Sequence, residues 1–342
     1  MAARLEETIK NFYEKNHIKS ELYTDSMEEA YTSNKRYDKK IALPSLQKRV
    51  EAWIRFFEKE DQEYFLRLLE SFTYITKETL AYRIYNLCSS LFKNLLEKGI
   101  DYSEILFVVI ESPEGIKSGA DEMAVNVWNI NQEFEITKKQ IITAYSKVDQ
   151  KLVEEARAII FLDDIAATGF TMCGQINAFF KRFEALGDDS KIYYYTSVLA
   201  ARNAINYLRK HLDGRAAAAQ PFYQEEQIIR SAFRGGYIFG GEIVKEVEQM
   251  VQKYEDLIDA YEREHPEKTF SMGFRQCKLL LAFHYETPNN TLCSFWKATD
   301  KNQPVFARSG YTRLSLDRIR KQKIHMRENA YLYQSIHQGG NK

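Results

Sequence analysis

The 342-residue sequence holds only 15 glycines and 6 prolines, and so few breakers favour helices over long loops. Cysteine is rarer still: Cys88, Cys173, Cys277 and Cys293 make up the whole count of 4. None forms a CxxC pair, and no histidine stands at zinc-finger spacing from them. That excludes a disulfide framework or a zinc module and leaves reduced, mostly buried thiols. Neither sign of charge is in excess, with 48 Lys+Arg against 48 Asp+Glu. A global attraction to nucleic acid is thereby excluded, and any such contact would be a local patch. Long hydrophobic runs are missing too. The run ILFVVI falls far short of the roughly 20 residues that cross a bilayer. The opening MAARLEETIK has no apolar signal-peptide core. The expectation is a cytoplasmic protein with no membrane partner.

What is present is a core-forming composition: 44% hydrophobic and 13% aromatic, with 22 Tyr and 21 Phe. Many tyrosine hydroxyls must therefore find a partner or water. The length suits one large domain or two modest ones. Residues 1–40 are polar and charge-rich and read as an N-terminal arm. Residues 41–99 read as a helical segment, with Val50, Trp53, Ile54 and Phe57, then Leu80, Ile84, Leu87, Leu91 and Leu95, at helical spacing. Beyond Gly99 the period changes. EILFVVI (104–110), AIIFLD (158–163), KIYYYTSV (191–198) and KLLLAFHY (278–285) are continuous apolar runs, as strands buried on both faces would be. Helical stretches separate them, at about 119–156, 172–186, 202–212 and 242–264. Strand alternating with helix predicts an α/β fold, a doubly wound, mostly parallel sheet over 100–310, with a helical insertion at about 203–268. The stretch 213–240 fits neither period. Residues 311–342 form a basic C-terminal segment.

The string FLDDIAATGFT is where chemistry concentrates. Asp163 and Asp164 stand at the carboxyl end of a buried strand, the edge at which open parallel sheets bind ligands. After them the turn 165–171 opens a helix carrying Ile176, Phe179, Phe180 and Phe183 on one face. A helix N-terminus offers unpaired N–H groups to an anion, above all a phosphate. Thr168 and Thr171 add hydroxyls, and Gly169 allows close backbone approach. Two carboxylates beside a phosphate cradle suit a sugar phosphate, its hydroxyls on the acids. The alternative, an acid that merely caps a helix beside a solvated one, accounts for less of the string.

IIFLDDIAATGFT resembles the phosphoribosyl-diphosphate (PRPP) signature of type I phosphoribosyltransferases. The resemblance implies the fold of that family, Asp163 and Asp164 on the ribose 2′- and 3′-hydroxyls, and Ala167, Thr168, Gly169, Phe170 and Thr171 around the 5′-phosphate. It implies Mg²⁺ with the pyrophosphate, and no metal site made by the protein alone. In that family the pyrophosphate loop follows the first strand. Here ESPEGIKSG occupies the place, making Ser112, Gly115 and Lys117 candidate contacts or parts of an ordinary strand–helix loop.

A second string, FHYETPNNTLCSFW (283–296), resembles a motif of the phosphoribosyltransferase-like proteins of bacterial conflict systems, the group called PRTase-CE, some encoded beside retrons. Against that background His284 is a candidate catalytic group facing the same rim as Asp163. Asn289 and Asn290 are candidate substrate contacts, and Trp296 a base-stacking ring. The plainer readings are a core histidine, a TPNN turn and a core tryptophan. The basic residues Arg308, Arg313, Arg318, Arg320, Lys321, Lys323 and Arg327 make either a patch for nucleic acid or an acidic partner, or a solvated helix face over Leu316, Ile319 and Ile324. The resemblance implies a toxic effector of antiphage defence acting at ribose C1 of PRPP or a nucleotide. A reverse transcriptase with its RNA–DNA product would be its inhibitory partner, and self-association is open. A non-catalytic PRPP or nucleotide sensor and a salvage phosphoribosyltransferase are the alternatives.

Overall fold

The computed structural model describes residues 2–18, 45–110, 119–130, 134–143, 145–184, 190–260 and 269–308. Along the chain run helices α1 (Ala2–Lys15), α2 (Leu46–Ile54) and α3 (Gln62–Glu70), strand β1 (Thr73–Ile75), helix α4 (Lys77–Leu96), strand β2 (Ile105–Val109), helix α5 (Gly119–Asn129), strand β3 (Ile141–Ile142) and helix α6 (Gln150–Glu155). Then follow β4 (Ala158–Ala166), α7 (Phe170–Arg182), β5 (Ile192–Ala201), α8 (Arg202–His211), β6 (Gln220–Pro221), β7 (Ile228–Ile229), α9 (Val244–Ala260) and β8 (Leu281–Phe283). Two compact units result. The first is Met1–Tyr74, Ile238–Gln276 and Leu280–Lys342; the second is Ile75–Tyr237 with Cys277–Leu279. The helical segment expected over 41–99 thus contributes α2 and α3 to the first unit and α4 to the second.

The second unit is the α/β body. Its sheet runs β3-β2-β4-β5-β6, with β7 also on β5, and every pairing in it is parallel. β4 is central because Ala158–Leu162 are all buried and paired on both edges. The crossover helix α7 presses Ile176, Phe179 and Phe180 onto the sheet, Phe179 meeting Phe161 edge to face at 5.1 Å. The N-cap of α4 is Thr76, whose hydroxyl accepts from the Thr79 amide at 3.0 Å. Its apolar positions Leu80, Ile84, Leu87, Leu91 and Leu95 are buried, as their spacing predicts. The chain leaves β2 for β3 on one side and returns to β4 on the other, so the order reverses between β2 and β4, where such sheets hold ligands.

Two expectations are corrected here. The single helix over 119–156 is broken: α5 ends at Asn129, and Ile141–Ile142 pair with Phe107 and Val108 as an edge strand before α6. A reciprocal side-chain cap between Thr137 and Gln140 turns the chain just before that strand. The run 278–285 does not join the parallel sheet. Only Leu281–Phe283 is strand, and it pairs with β1 in a separate two-stranded sheet. Lys278 adopts φ 54°, a left-handed backbone that no strand accommodates.

The first unit gathers its core from distant parts of the chain. Trp53 lies against Phe57, Phe65 and Phe295 at 5.2, 6.0 and 4.8 Å, and its indole donates to the Ser294 carbonyl at 3.0 Å. Glu255 of α9 is fully buried, and its carboxylate accepts from the amides of Cys293, Ser294 and Met272 at 2.6, 2.9 and 3.2 Å. Burial raises its pKa against those hydrogen bonds. Beside it Lys297 and Asp259 form a buried ion pair at 2.9 Å.

Candidate active site

β2 makes its last pairing between Val109 and Leu162, while β4 continues alongside β5 to Ala166. Asp163 and Asp164 are the first residues of β4 past the end of β2, at the point where the strand order reverses. They stand inside the strand, not at its last position, because β5 still pairs Asp163 with Ser197 and Ile165 with Leu199. Both acids are half-buried. The Asp163 carboxylate folds back to accept from the Asp164 amide at 2.9 Å. Burial holds its pKa well above the ordinary aspartate range, and the neighbouring Asp164 charge pushes the same way.

Three residues further on the chain turns into α7. Gly169 caps the helix with φ 75° and no side-chain cap. A Cβ there would lie 2.7 Å from the carbonyl oxygen of Ala204 in α8. Glycine is required twice over, by the left-handed backbone and by the approach of α8. The Thr168 hydroxyl accepts from the Phe170 amide at 3.3 Å, and the first amide bonded along the helix is that of Cys173, to Gly169 O at 2.9 Å. Because Gly169 brings no side-chain oxygen and Thr168 takes only the Phe170 amide, the amides of Thr171 and Met172 are left for an anion or water. The observed turn, 167–169, is tighter than the expected 165–171. The Ala167 carbonyl also meets the Cys277 thiol at 3.9 Å.

Sequence reasoning missed two neighbours. Ser197, the cross-strand partner of Asp163, donates to Leu199 O at 2.7 Å and lies 3.3 Å from the Tyr223 hydroxyl. Burial raises the Tyr223 phenol, the Ser197 hydrogen bond opposes this, and the Tyr195 and Asp163 charges reinforce it. The signal for Ser197 was present: Thr196 and Ser197 interrupt an aromatic strand at its carboxyl end. Tyr223 carried none, sitting in the stretch that fitted neither period.

The structure thus brings Asp163, Asp164 and residues 167–171 together within the second unit. Ser112, Gly115 and Lys117 lie outside the described residues, as does the basic segment beyond Arg308. His284, Asn289 and Asn290 belong to the first unit. His284 is 3% exposed and packs edge-on against Tyr285 at 5.1 Å. The Asn290 amide donates to Phe274 O at 3.3 Å, and Asn289 O accepts from the Phe274 amide at 2.7 Å. Trp296 is no stacking surface for a base: it is fully buried, its indole donates to Thr291 O at 2.9 Å, and Phe270 meets it edge to face at 5.5 Å. Arg308 bonds Glu286 at 3.0 Å and lies over the Trp296 ring at 5.5 Å. All 4 cysteines are free, three of them buried. Among the described residues no helix is long and apolar enough to cross a membrane.

No curated protein and no solved structure matches the chain. A model of the family PRTase-CE matches residues 50–308, a span that includes the acid pair, the Gly169 turn and the 283–296 string. The chain belongs to PRTase-CE, a phosphoribosyltransferase-like family.

Proposed function

We propose that this protein is a phosphoribosyltransferase-like toxic effector of a bacterial antiphage defence system of the retron kind, acting at ribose C1 of PRPP or of a nucleotide. The observation that carries the sugar-phosphate half is the acid pair just past β2, followed within a few residues by the glycine-capped start of α7. The defence half rests on the likeness of the 283–296 string to conflict-system proteins.

In this reading Asp163 and Asp164 take the ribose 2′- and 3′-hydroxyls. A carboxyl that keeps its proton to higher pH presents a donor as well as an acceptor to a diol whose hydroxyls also do both. The 5′-phosphate lies on the amides of the α7 first turn with the Thr168 and Thr171 hydroxyls. By the same resemblance Ser112, Gly115 and Lys117 meet the pyrophosphate. With both ends held, C1 is presented to an acceptor, and bond breaking develops oxocarbenium-like charge at the sugar. The two acids lie near that charge, and catalysis is chiefly positioning and electrostatic stabilisation. No step is given to His284, Asn289 or Asn290.

Among the described residues no three His, Cys, Asp or Glu side chains converge, whereas Mg²⁺ takes one or two carboxylates with substrate oxygens and water. The ion would be held chiefly by substrate oxygens and water, and bound there it would supply charge neutralisation of the pyrophosphate. A reverse transcriptase with its RNA–DNA product is the proposed inhibitory partner.

The test is calorimetric titration of PRPP with Mg²⁺ into the intact protein and the Asp163→Asn/Asp164→Asn variant, paired with expression toxicity of both. Binding and toxicity are expected in the intact protein and lost in the variant. No binding to the intact protein overturns the sugar-phosphate site, and toxicity surviving in the variant overturns the effector role. Binding without product across a panel of base, nucleotide and RNA acceptors assigns the site to a sensor instead.

A further inference from the structure

A chain with balanced charge meets nucleic acid only at a local patch, and α8 carries one. None of its 10 residues is acidic. Ala204, Ile205 and Leu208 are buried, and the other face exposes Arg202, Asn203, Asn206, Arg209 and Lys210. At the far end α7 adds a further cation. The Asn177 amide donates to the His211 carbonyl at 3.2 Å, and the exposed Lys181 follows Asn177 by one turn. Among the described residues the row makes one ion pair, Arg202 with Glu225 at 2.9 Å. The first acid beyond it is the exposed Asp213.

Helix stability accounts for only part of this charge. Arg209 and Lys210 stand at the carboxyl end, where cations complement the helix dipole. Arg202 is the first residue of the helix, where a cation opposes it. No acid stands in that first turn, and Ala201 brings no side-chain cap. The pair with Glu225 is exposed on both sides and returns little. The row therefore holds a cation that the fold does not need. From Arg202 to Lys210 it runs about 12 Å, on the order of three nucleotide steps at roughly 3.4 Å each along a strand. Arginine, lysine and asparagine are the side chains that reach phosphate oxygens. The row starts at the phosphate turn, because Ala204 is the residue that a Cβ on Gly169 would strike.

We propose that the outer face of α8, with Lys181, binds single-stranded nucleic acid by its phosphates and leads the strand to the phosphate turn. The binding surface stands on its own charges. Only the delivery of a nucleotide to Asp163 and Asp164 rests on the sugar-phosphate reading, and chemistry at the bond between sugar and base calls for an unpaired strand.

Fluorescence anisotropy of labelled DNA and RNA strands of about twelve nucleotides, with the full chain between about 50 and 200 mM salt, tests the surface. Three cations without an ion pair predict a slope of log affinity on log salt of about −2, at about −0.7 per phosphate. Lys181→Gln/Lys210→Gln should weaken binding of every sequence and bring the slope close to −0.7. Glu225→Gln frees Arg202 and should tighten binding. Lys245→Gln/Lys253→Gln, which removes the same charge from the exposed side of α9, should change neither quantity. Circular dichroism checks that each variant folds. An equal loss in the α9 variant overturns the α8 surface, as does the absence of binding at low salt. Duplex bound as tightly as either strand overturns the single-strand preference. Retention on phosphatidylserine vesicles without oligonucleotide binding overturns the proposal in favour of a membrane surface. A parallel PRPP titration separates the two readings: oligonucleotide binding without PRPP binding leaves the surface standing and removes the sugar-phosphate site, and the reverse result removes the surface alone.

Discussion

Gly169 lies so close beneath the Ala204 carbonyl that a single added carbon would meet its oxygen at 2.7 Å. The contact is backbone to backbone, so no side chain can swing aside to relieve it. Gly169→Ala should cost about 1–3 kcal/mol from the left-handed conformation alone, with the clash in addition, and should abolish phosphate binding by displacing the α7 amides. Gly174, in the exposed interior of the same helix, has no neighbour within 4 Å of such a carbon. Gly174→Ala should stabilise the protein by about 0.5–1 kcal/mol. Urea unfolding of both variants checks the pair, and a stable, ligand-competent Gly169→Ala protein would refute the account.

Asp163 ties stability to pH with a definite sign. Its folded-state pKa is raised, by burial first and by Asp164 second. Below the ordinary aspartate value both folded and unfolded forms are protonated, and the group carries no penalty. As pH climbs from that value through the folded one, only the unfolded chain ionises freely, so stability is lost. Asp163→Asn should therefore raise the melting temperature at neutral pH, and the gain should vanish in acid. Scanning both proteins from pH 3 to pH 8 reads this directly, and a gain independent of pH would contradict it.

The buried pair of Lys297 and Asp259 behaves in the opposite sense. Burial pushes the Asp259 carboxyl up, but the Lys297 and Thr269 hydrogen bonds and the Lys297 charge outweigh it, and its pKa ends below the ordinary value. Its contribution is present above the ordinary value and lost as pH falls through the folded one. Lys297→Met leaves an uncompensated buried carboxylate and should cost about 3–5 kcal/mol. With the Lys297 charge and hydrogen bond gone, burial outweighs what remains, and the variant should become more stable as the medium is acidified. The slope of the urea midpoint against pH in the acid range distinguishes the two proteins.

What could be read from the sequence was what local chemistry decides. The acid pair, the glycine turn and the helix behind it lie within residues 163–182, and their order alone carries the inference. Helices α4, α8 and α9 were readable because one buried face imposes its period. What escaped depended on partners far along the chain. Nothing in KLLLAFHY says that Leu281–Phe283 will pair with β1, and Ile141–Ile142 are too short a run to announce an edge strand of β2. The end of β4 was placed three residues early because β5, not β4 itself, keeps Ile165 and Ala166 in register. Trp296 and its neighbours looked like recognition groups because they are aromatic and polar together. Trp296 itself is instead buried, with Thr287, Thr291, Ser294 and Asn302 inside the core.

The scattered origin of the first unit bears on how the protein is made. Trp53 waits for Ser294, and Arg49 for the Val305 carbonyl, across 241 and 256 residues. At about 5–20 residues per second of synthesis, Trp53 spends roughly ten to fifty seconds without its partner. The second unit is nearly contiguous over Ile75–Tyr237 and has most of its contacts in hand before the first can close. A ribosome stalled between the two strings would release a chain with a finished α/β body and an open aromatic face. Such chains are substrates for chaperones and proteases, so the amount of intact protein in a cell would answer to translation speed over residues 240–308 as well as to transcription.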